Sequence, residues 1–317
     1  MTGEALLVRH PVLAVLALLW LLVVIGLFVF APASLNTDTL TTILQFSTIL
    51  ALAALGQALV ILCGGAGIDL SVGGVVSLTA VLVALLGRTG APGWTIPLLC
   101  LVVGGLLGAV NGLLVSRVRI LPLITTLGTF YVYSGLAIAL TGGAATGSIP
   151  AWLIGWGRGQ FVAVPLPFLT IALPAFLVAA LLLGATAWGT WIYAMGFNEA
   201  SARLCGIPVD QTRTILYTVS GACAGAAALV SLAWLGSARP NIGANLELTS
   251  LAAAMLGGVS IFGGRGGAIG VFAAVILLVT LQNSLLQLNV NSTWQVGVVG
   301  VLLIVVLLVD RFASSRA

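Results

Sequence analysis

GFNEASARLCGIPVDQTR, residues Gly196–Arg213, is the stretch whose reading decides how this chain folds. It carries Glu199, Arg203, Asp210 and Arg213, four charges in fifteen residues. The apolar runs on either side, Leu166–Ala187 and Thr214–Leu235, carry none. Centring one Arg or Asp in a bilayer costs roughly 2.5–3.5 kcal/mol on insertion scales. The island therefore reads as a water-side segment between two membrane spans. Glu199 and Arg203 stand four apart, on one helix face, in the favourable acid-first order. Gly206 is a stop signal, and Pro208 follows two residues later. The expected element is a short amphipathic helix lying outside the membrane.

Outward from the island, the chain is 61% hydrophobic and 6% charged, against about 25% charged in soluble domains. The fold class expected is an all-α polytopic membrane protein. The apolar runs are continuous and near twenty residues, where barrel strands would alternate over about ten. About ten transmembrane helices fit, with a broken-helix, inverted-repeat-like core. The first is Pro11–Ala31. Its end, Val29-Phe30-Ala31-Pro32-Ala33, looks like a small-x-small cleavage site, but the apolar core is longer than the 7–15 residues of a signal peptide, so a retained span is expected. The others are Leu40–Cys63, Val75–Gly87, Ile96–Ser116, Leu121–Leu140, Pro165–Ala187, Thr214–Leu235, Leu248–Phe262, Ala268–Leu288 and Ser292–Val309. Thr141–Val164 and Gly236–Glu247 read as polar loops. Residues 1–317 form one membrane domain, with 196–210 as a cytoplasmic helical segment within it.

With ten spans and the N-terminus inside, Arg9, Arg117, Arg119, Arg203, Arg213, Arg265, Arg311 and Arg316 fall inside, and Arg88, Arg158 and Arg239 outside. That distribution satisfies the positive-inside rule and puts both termini and the island in the cytoplasm.

Two glycine-rich stretches interrupt the spans. One is CGGAGIDLSVGG, Cys63–Gly74, with Asp69 in it; the other is GGRGG, Gly263–Gly267, after the short run Leu248–Phe262. Non-helical backbone at membrane depth is tolerated only where protein buries it or water lines it. Asp69 and Ser71 can cap the helix that follows. A plain capped turn and a pathway-lining break both fit. Short, glycine-interrupted segments in both halves point towards a binding pathway. Hydroxyls crowd Leu121–Leu140, among them Thr125 and Thr126. They fit a wet interior or bonds back to their own helix. Gly104, Gly105, Gly108 and Gly112 suit close helix packing, and Asn111 suits a helix-to-helix hydrogen bond. Gly104-Gly-Leu-Leu-Gly108 and Gly266-Gly-Ala-Ile-Gly270 open two spans of opposite direction, which fits an inverted repeat.

Several chemistries are excluded. GGRGG lacks a following Lys-Ser/Thr and a preceding strand, so it is no phosphate cradle. Cys63, Cys100, Cys205 and Cys223 form no CxxC pair and read as small apolar side chains. His10 is the only histidine. No Ser–His, paired-acid or metal-ligand set is present, so neither enzyme chemistry nor a cofactor or metal is expected. No basic patch with interleaved aromatics points to nucleic acid; the partner is membrane lipid.

Four strings in order then carry a family resemblance: GGAGIDLSVGGVVSLTA (Gly64–Ala80), VNGLLVSRVRILPLITTLGTFYVYSGLAIALTGG (Val110–Gly143), GFNEASARLCGIPV (Gly196–Val209) and ELTSLAAAMLGGVSIFGGRGG (Glu247–Gly267). The chain resembles the permease subunits of bacterial ABC importers of the ribose-type, monosaccharide family, related to the branched-chain amino-acid permeases. Cys205 departs from a more usual small or polar residue, and Gly257-Gly-Val-Ser-Ile-Phe-Gly-Gly264 is a near variant of the family's late string. The resemblance implies an inner-membrane permease without ATPase activity. It also implies a second permease subunit, the same or paralogous, an ABC ATP-binding subunit, and a periplasmic or lipoprotein solute-binding protein. It assigns ATPase coupling to Asn198, Glu199, Ala202, Arg203, Gly206 and Ile207. The sparse charge of the spans suits a neutral polar solute, and the pathway candidates are Gln57, Asp69, Ser71, Thr125, Thr126 and Asn283. The rival expectation is an ion-coupled secondary transporter with Asp69 as its ion site.

Overall fold

In lipid each backbone polar group must be satisfied internally, so a continuous apolar run has little choice but to become a helix. The computed structural model describes residues 11–30 and 36–314. Arg9, His10, the cleavage-like Ala31–Ala33 and Arg316 lie outside the described residues. The helices are α1 (Pro11–Phe30), α2 (Thr37–Leu62), α3 (Val72–Arg88), α4 (Ile96–Ser116), α5 (Pro122–Thr141), α6 (Ala151–Arg158), α7 (Leu173–Ala185), α8 (Ala187–Phe197), α9 (Glu199–Leu204), α10 (Val209–Leu235), α11 (Leu246–Leu256), α12 (Ala268–Gln287) and α13 (Ser292–Ser314). The chain is an all-α polytopic membrane protein. Among the described residues, six helical stretches are long and apolar enough to cross a bilayer, and four more are apolar but shorter.

Two of the six sit at the centre. The most apolar windows of α2 and α10 are 83% and 72% buried, against 22–39% for the other four. α4 runs along α10, and α11 and α12 run along α2. The α4–α10 contact explains the glycine string. A methyl group on Gly108 would come within 2.2 Å of the Tyr217 carbonyl, and one on Gly221 within 2.2 Å of the Gly104 carbonyl. Gly104, Gly108 and Gly112 on one helix and Gly221 and Gly225 on the other thus let two backbones touch. Gly105 meets only ordinary contacts at 3.8 Å.

Several expectations are corrected. Thr141–Val164 is not a plain loop: it holds α6 and a small antiparallel hairpin, β1 (Gln160–Phe161) with β2 (Val164–Pro165). Leu153 of α6 is buried, and the Thr41 hydroxyl donates to the Ala163 carbonyl at 2.7 Å. The span that follows opens with a π-helical turn, Phe168–Ala172, before α7. α10 begins at Val209, five residues before the expected Thr214, with Pro208 at its N-cap. Asp210 and Arg213 therefore ride on the first turns of a long apolar helix, and Arg213 is buried.

The segment after α10 turns inward. A methyl group on Gly73 would meet the Gly243 carbonyl at 2.4 Å, and the Gly243 N–H donates to the Ser77 hydroxyl at 3.0 Å. The loop before α11 thus reaches the start of α3, and the two short helices begin side by side.

Candidate functional site

The charged island is built from its caps inward. Asn198 leaves helical geometry, and its Oδ1 accepts the Ser201 N–H at 3.0 Å, satisfying one free donor of α9. At the other end Gly206 takes φ +82°, where an L side chain would be strained. The Gly206 N–H bonds the Arg203 carbonyl (3.0 Å), and the Ile207 N–H bonds that of Ala202 (3.1 Å), closing a Schellman-type end. Ala202 is buried, and Ile207 packs beside it against the core that holds Cys63, Met195, Val209 and Leu216. So Asn198, Gly206 and Ile207 shape the helix, and Ala202 seats it.

Glu199 and Arg203 do more than pair with each other. Arg203 donates to Glu199 Oε1 at 2.9 Å, and to Asp210 Oδ1 and Oδ2 at 2.5 and 3.1 Å. Arg213 donates to Glu199 Oε2 at 2.7 Å. The four charges form one chain, Arg213–Glu199–Arg203–Asp210, running from a buried guanidinium to the surface. Exposed pairs contribute little to stability. Here the weight falls on Arg213, whose side chain is 10% exposed and would be left buried and unpaired without Glu199. Burial alone would raise the Glu199 carboxyl. Hydrogen bonds from Arg213 and Arg203 outweigh it and hold the group below the usual carboxylate range, so the network stays ionised throughout the neutral range. Beside it opens a polar cavity of about 350 Å³, walled in part by Arg119, Arg203, Arg213, Glu199 and Asp210. Meanwhile Phe197 (80% exposed) and Leu204 (89% exposed) point away from the core.

The break after α2 is a second polar centre, closed on itself. Asp69 Oδ1 accepts from the Ser71 N–H (3.0 Å) and hydroxyl (2.5 Å), and Oδ2 accepts from the Ser220 hydroxyl (2.8 Å). Asn111 donates to Ser71 Oγ at 2.7 Å. The Gln57 amide spans the Asp69 backbone, donating to its carbonyl at 2.8 Å and accepting from its N–H at 3.3 Å. Thr126 and Tyr217 both donate to the Ile68 carbonyl. Asp69 is thus the acceptor that holds the turn, while Ser71 makes no side-chain cap bond to α3. Gln57, Asp69, Ser71 and Thr126 come together here, all buried, and Thr125 is buried too. Asn283 does not join them. It lines a crevice of about 560 Å³ between α2, α10, α11, α12 and α13, with Asn245, Gln282 and Gln295.

Sequence reasoning missed Ser220, which stood in an apolar run with no signal of its own. It also missed a backbone junction at the base of the island. A methyl group on Gly196 would lie 2.1 Å from the Leu62 carbonyl and 2.2 Å from the Gly264 nitrogen; one on Gly263 would lie 2.5 Å from Gly64 Cα. The glycine pairs at 64–65 and 263–264 were visible as breaks; only the fold brings both to Gly196.

Residues 39–307, from α2 into α13, match the family described as the permease component of branched-chain amino acid transport systems. The chain belongs to that family. This permease is 35% identical over 304 residues to the ribose import permease protein of Bacillus subtilis strain 168, covering 94% of this chain and 92% of the relative. It is 35% identical over 302 residues to the ribose import permease protein of Escherichia coli K12, with the same shares. It is also 36% identical over 301 residues to the autoinducer 2 import system permease protein of Enterobacter sp. strain 638, covering 94% and 84%. No solved structure matches the chain. The permease is a non-enzymatic, multi-pass subunit of an ABC importer in the inner membrane, a class that works with an ATP-binding subunit and a solute-binding protein. The ion-coupled alternative finds no support among these relatives, and both Asp69 carboxylate oxygens are already bonded within the protein.

Proposed function

We propose that this permease carries a neutral monosaccharide or a similar small polar solute inward, driven by ATP hydrolysis on a partner subunit that presses on Glu199–Leu204. The capped, charge-locked helix between α8 and α10, in a chain of this family, carries the reading. Relatives named for ribose and autoinducer 2 import support the solute class.

In this reading all ten apolar helices span the membrane, both termini are cytoplasmic, and α4 and α12, each marked by a GGxxG string, are counterparts in an inverted repeat. Two permeases, identical or paralogous, pair around the solute route. The binding protein docks on the outer segments Thr141–Val164 and Gly236–Glu247. Asn198, Glu199, Ala202, Arg203, Gly206 and Ile207 form the coupling element. Among the pathway candidates, Asn283 faces the route through its crevice. Gln57, Asp69, Ser71 and Thr126 act by holding the broken backbone in shape, and Thr125, whose buried hydroxyl makes no bond there, stays a pathway candidate.

The test is the double substitution Glu199→Gln with Arg203→Gln, which leaves an uncharged polar side chain at each position and breaks the charge chain. ATP-driven uptake in proteoliposomes is expected to fall below a tenth of wild type while membrane insertion and ATP binding by the partner persist. Uptake at the wild-type rate would overturn the coupling role.

A further inference from the structure

The loop Gly257–Gly267, between α11 and α12, is tied to the start of the island, to the end of α2 and to α8. Gly264 lies against Gly196 and Phe197: a methyl group on Gly264 would meet the Phe197 nitrogen at 2.9 Å and its Cα at 3.2 Å. The Gly264 N–H donates to the Leu62 carbonyl at 3.0 Å, so the end of α2 is held in the same knot. The Tyr193 hydroxyl of α8 donates to the Gly266 carbonyl at 2.9 Å. Gly64, Gly263 and Gly264 all take positive φ, between +70° and +86°. No side chain separates the three segments, and backbone against backbone has no soft partner to yield.

On the outer side of this knot the loop presents Phe262, 64% exposed. It stands two residues from Gly264, which touches Phe197. Phe197 and Leu204 are more exposed still. Three large apolar side chains beside a charged, water-side segment are an unusual expense of apolar surface, and such patches mark interaction sites. Aromatic anchors at the centre of an interface carry a large share of its binding free energy.

We propose that the 257–267 loop is a second prong of the surface that meets the ATP-binding subunit, presenting Phe262 as Phe197 and Leu204 are presented, and locked by the glycine knot to the Gly196–Phe197 backbone that leads into the coupling helix. The proposal rests on the reading of Glu199–Leu204 as the helix that meets this subunit. Its partner surface is an apolar groove long enough to take both prongs. A push on the helix is then delivered at once to α8, to the end of α2 and to the α11–α12 loop.

The experiment titrates the intact permease, in lipid nanodiscs, with its ATP-binding subunit. Phe262→Ala is expected to weaken binding at least tenfold, as removal of a buried aromatic anchor should. Leu204→Ala should also weaken it. Val162→Ala, 82% exposed in the β1–β2 hairpin far from the knot, should not. If Phe262→Ala binds like wild type while Leu204→Ala does not, the second prong is wrong and the coupling reading stands. If neither weakens binding, both are wrong. A second measurement needs no loss of side-chain packing: in a Cys205→Ser chain, Phe262→Cys should react with maleimide at least tenfold more slowly once the ATP-binding subunit is bound. An unchanged rate overturns the proposal.

Discussion

Gly196→Ala is expected to leave less than a tenth of wild-type uptake. The new methyl group would lie 2.1 Å from the Leu62 carbonyl and 2.2 Å from the Gly264 nitrogen, between two groups that hydrogen-bond each other at 3.0 Å. All the neighbours are backbone, so no flexible side chain can swing aside. Gly64, Gly263 and Gly264 are themselves packed backbone to backbone around Gly196, so a shift at one is passed to the others. Overpacking of this kind costs about 1–3 kcal/mol, and a broken backbone hydrogen bond adds roughly 0.5–1.5 kcal/mol. The protein that still inserts should show a lowered thermal midpoint and ATP hydrolysis without matching transport. Gly184→Ala, in α7, is the control. A methyl group there has nothing within 4 Å, so the variant should insert and transport normally. Normal uptake by Gly196→Ala would mean that the three segments part during the cycle.

Asp69→Ala should have the largest effect on stability. It removes the acceptor of the Ser71 and Ser220 hydroxyls and of the Ser71 N–H, all inside the protein. A buried polar group left unsatisfied costs roughly 1–3 kcal/mol, and here several lose their partner together. Asp69→Asn keeps one acceptor oxygen and should be milder. The expected order of thermal stability in detergent is wild type, then Asn, then Ala. The Asn variant that folds should retain ATP-driven uptake, because Asp69 acts by holding the turn. Complete loss of uptake in a stable Asn variant would restore Asp69 to a direct role in transport.

How much of this could be read from the chain alone differs by element. The ends of α4 and α5 follow from uninterrupted hydropathy and from the punctuation at Arg117–Leu121. The short helix at Glu199–Leu204 follows from the acid-first charge pair and the stop at Gly206; its N-cap, Asn198, emerges only in the fold. The start of α10 did not, because Asp210 and Arg213 look like loop residues until Glu199 is seen to reach back to Arg213. Charge content was a guide to water exposure only for charges without a distant partner. Helix α6 and its hairpin were hidden by glycines and tryptophans that read as loop. Gln57, Asp69, Ser71 and Thr126 were identifiable as polar groups out of place. Their mutual bonding was not, since Ser220 lies 151 positions from Asp69. Asn283 belongs to a different cavity for the same reason: sequence distance carries no register between helices.

The central claim is that force from an ATP-binding partner enters at Glu199–Leu204, and the native Cys205 offers the most direct test. It is exposed, whereas Cys63 and Cys100 are buried and Cys223 is half-buried. A bulky maleimide is attached to Cys205 of the purified permease, which is then assembled with its ATP-binding subunit and binding protein in proteoliposomes. The predicted result is background uptake and no retention of the ATP-binding subunit, while a Cys205→Ser chain treated in the same way transports normally. A fully labelled permease that assembles and takes up solute like the unlabelled one would contradict the account.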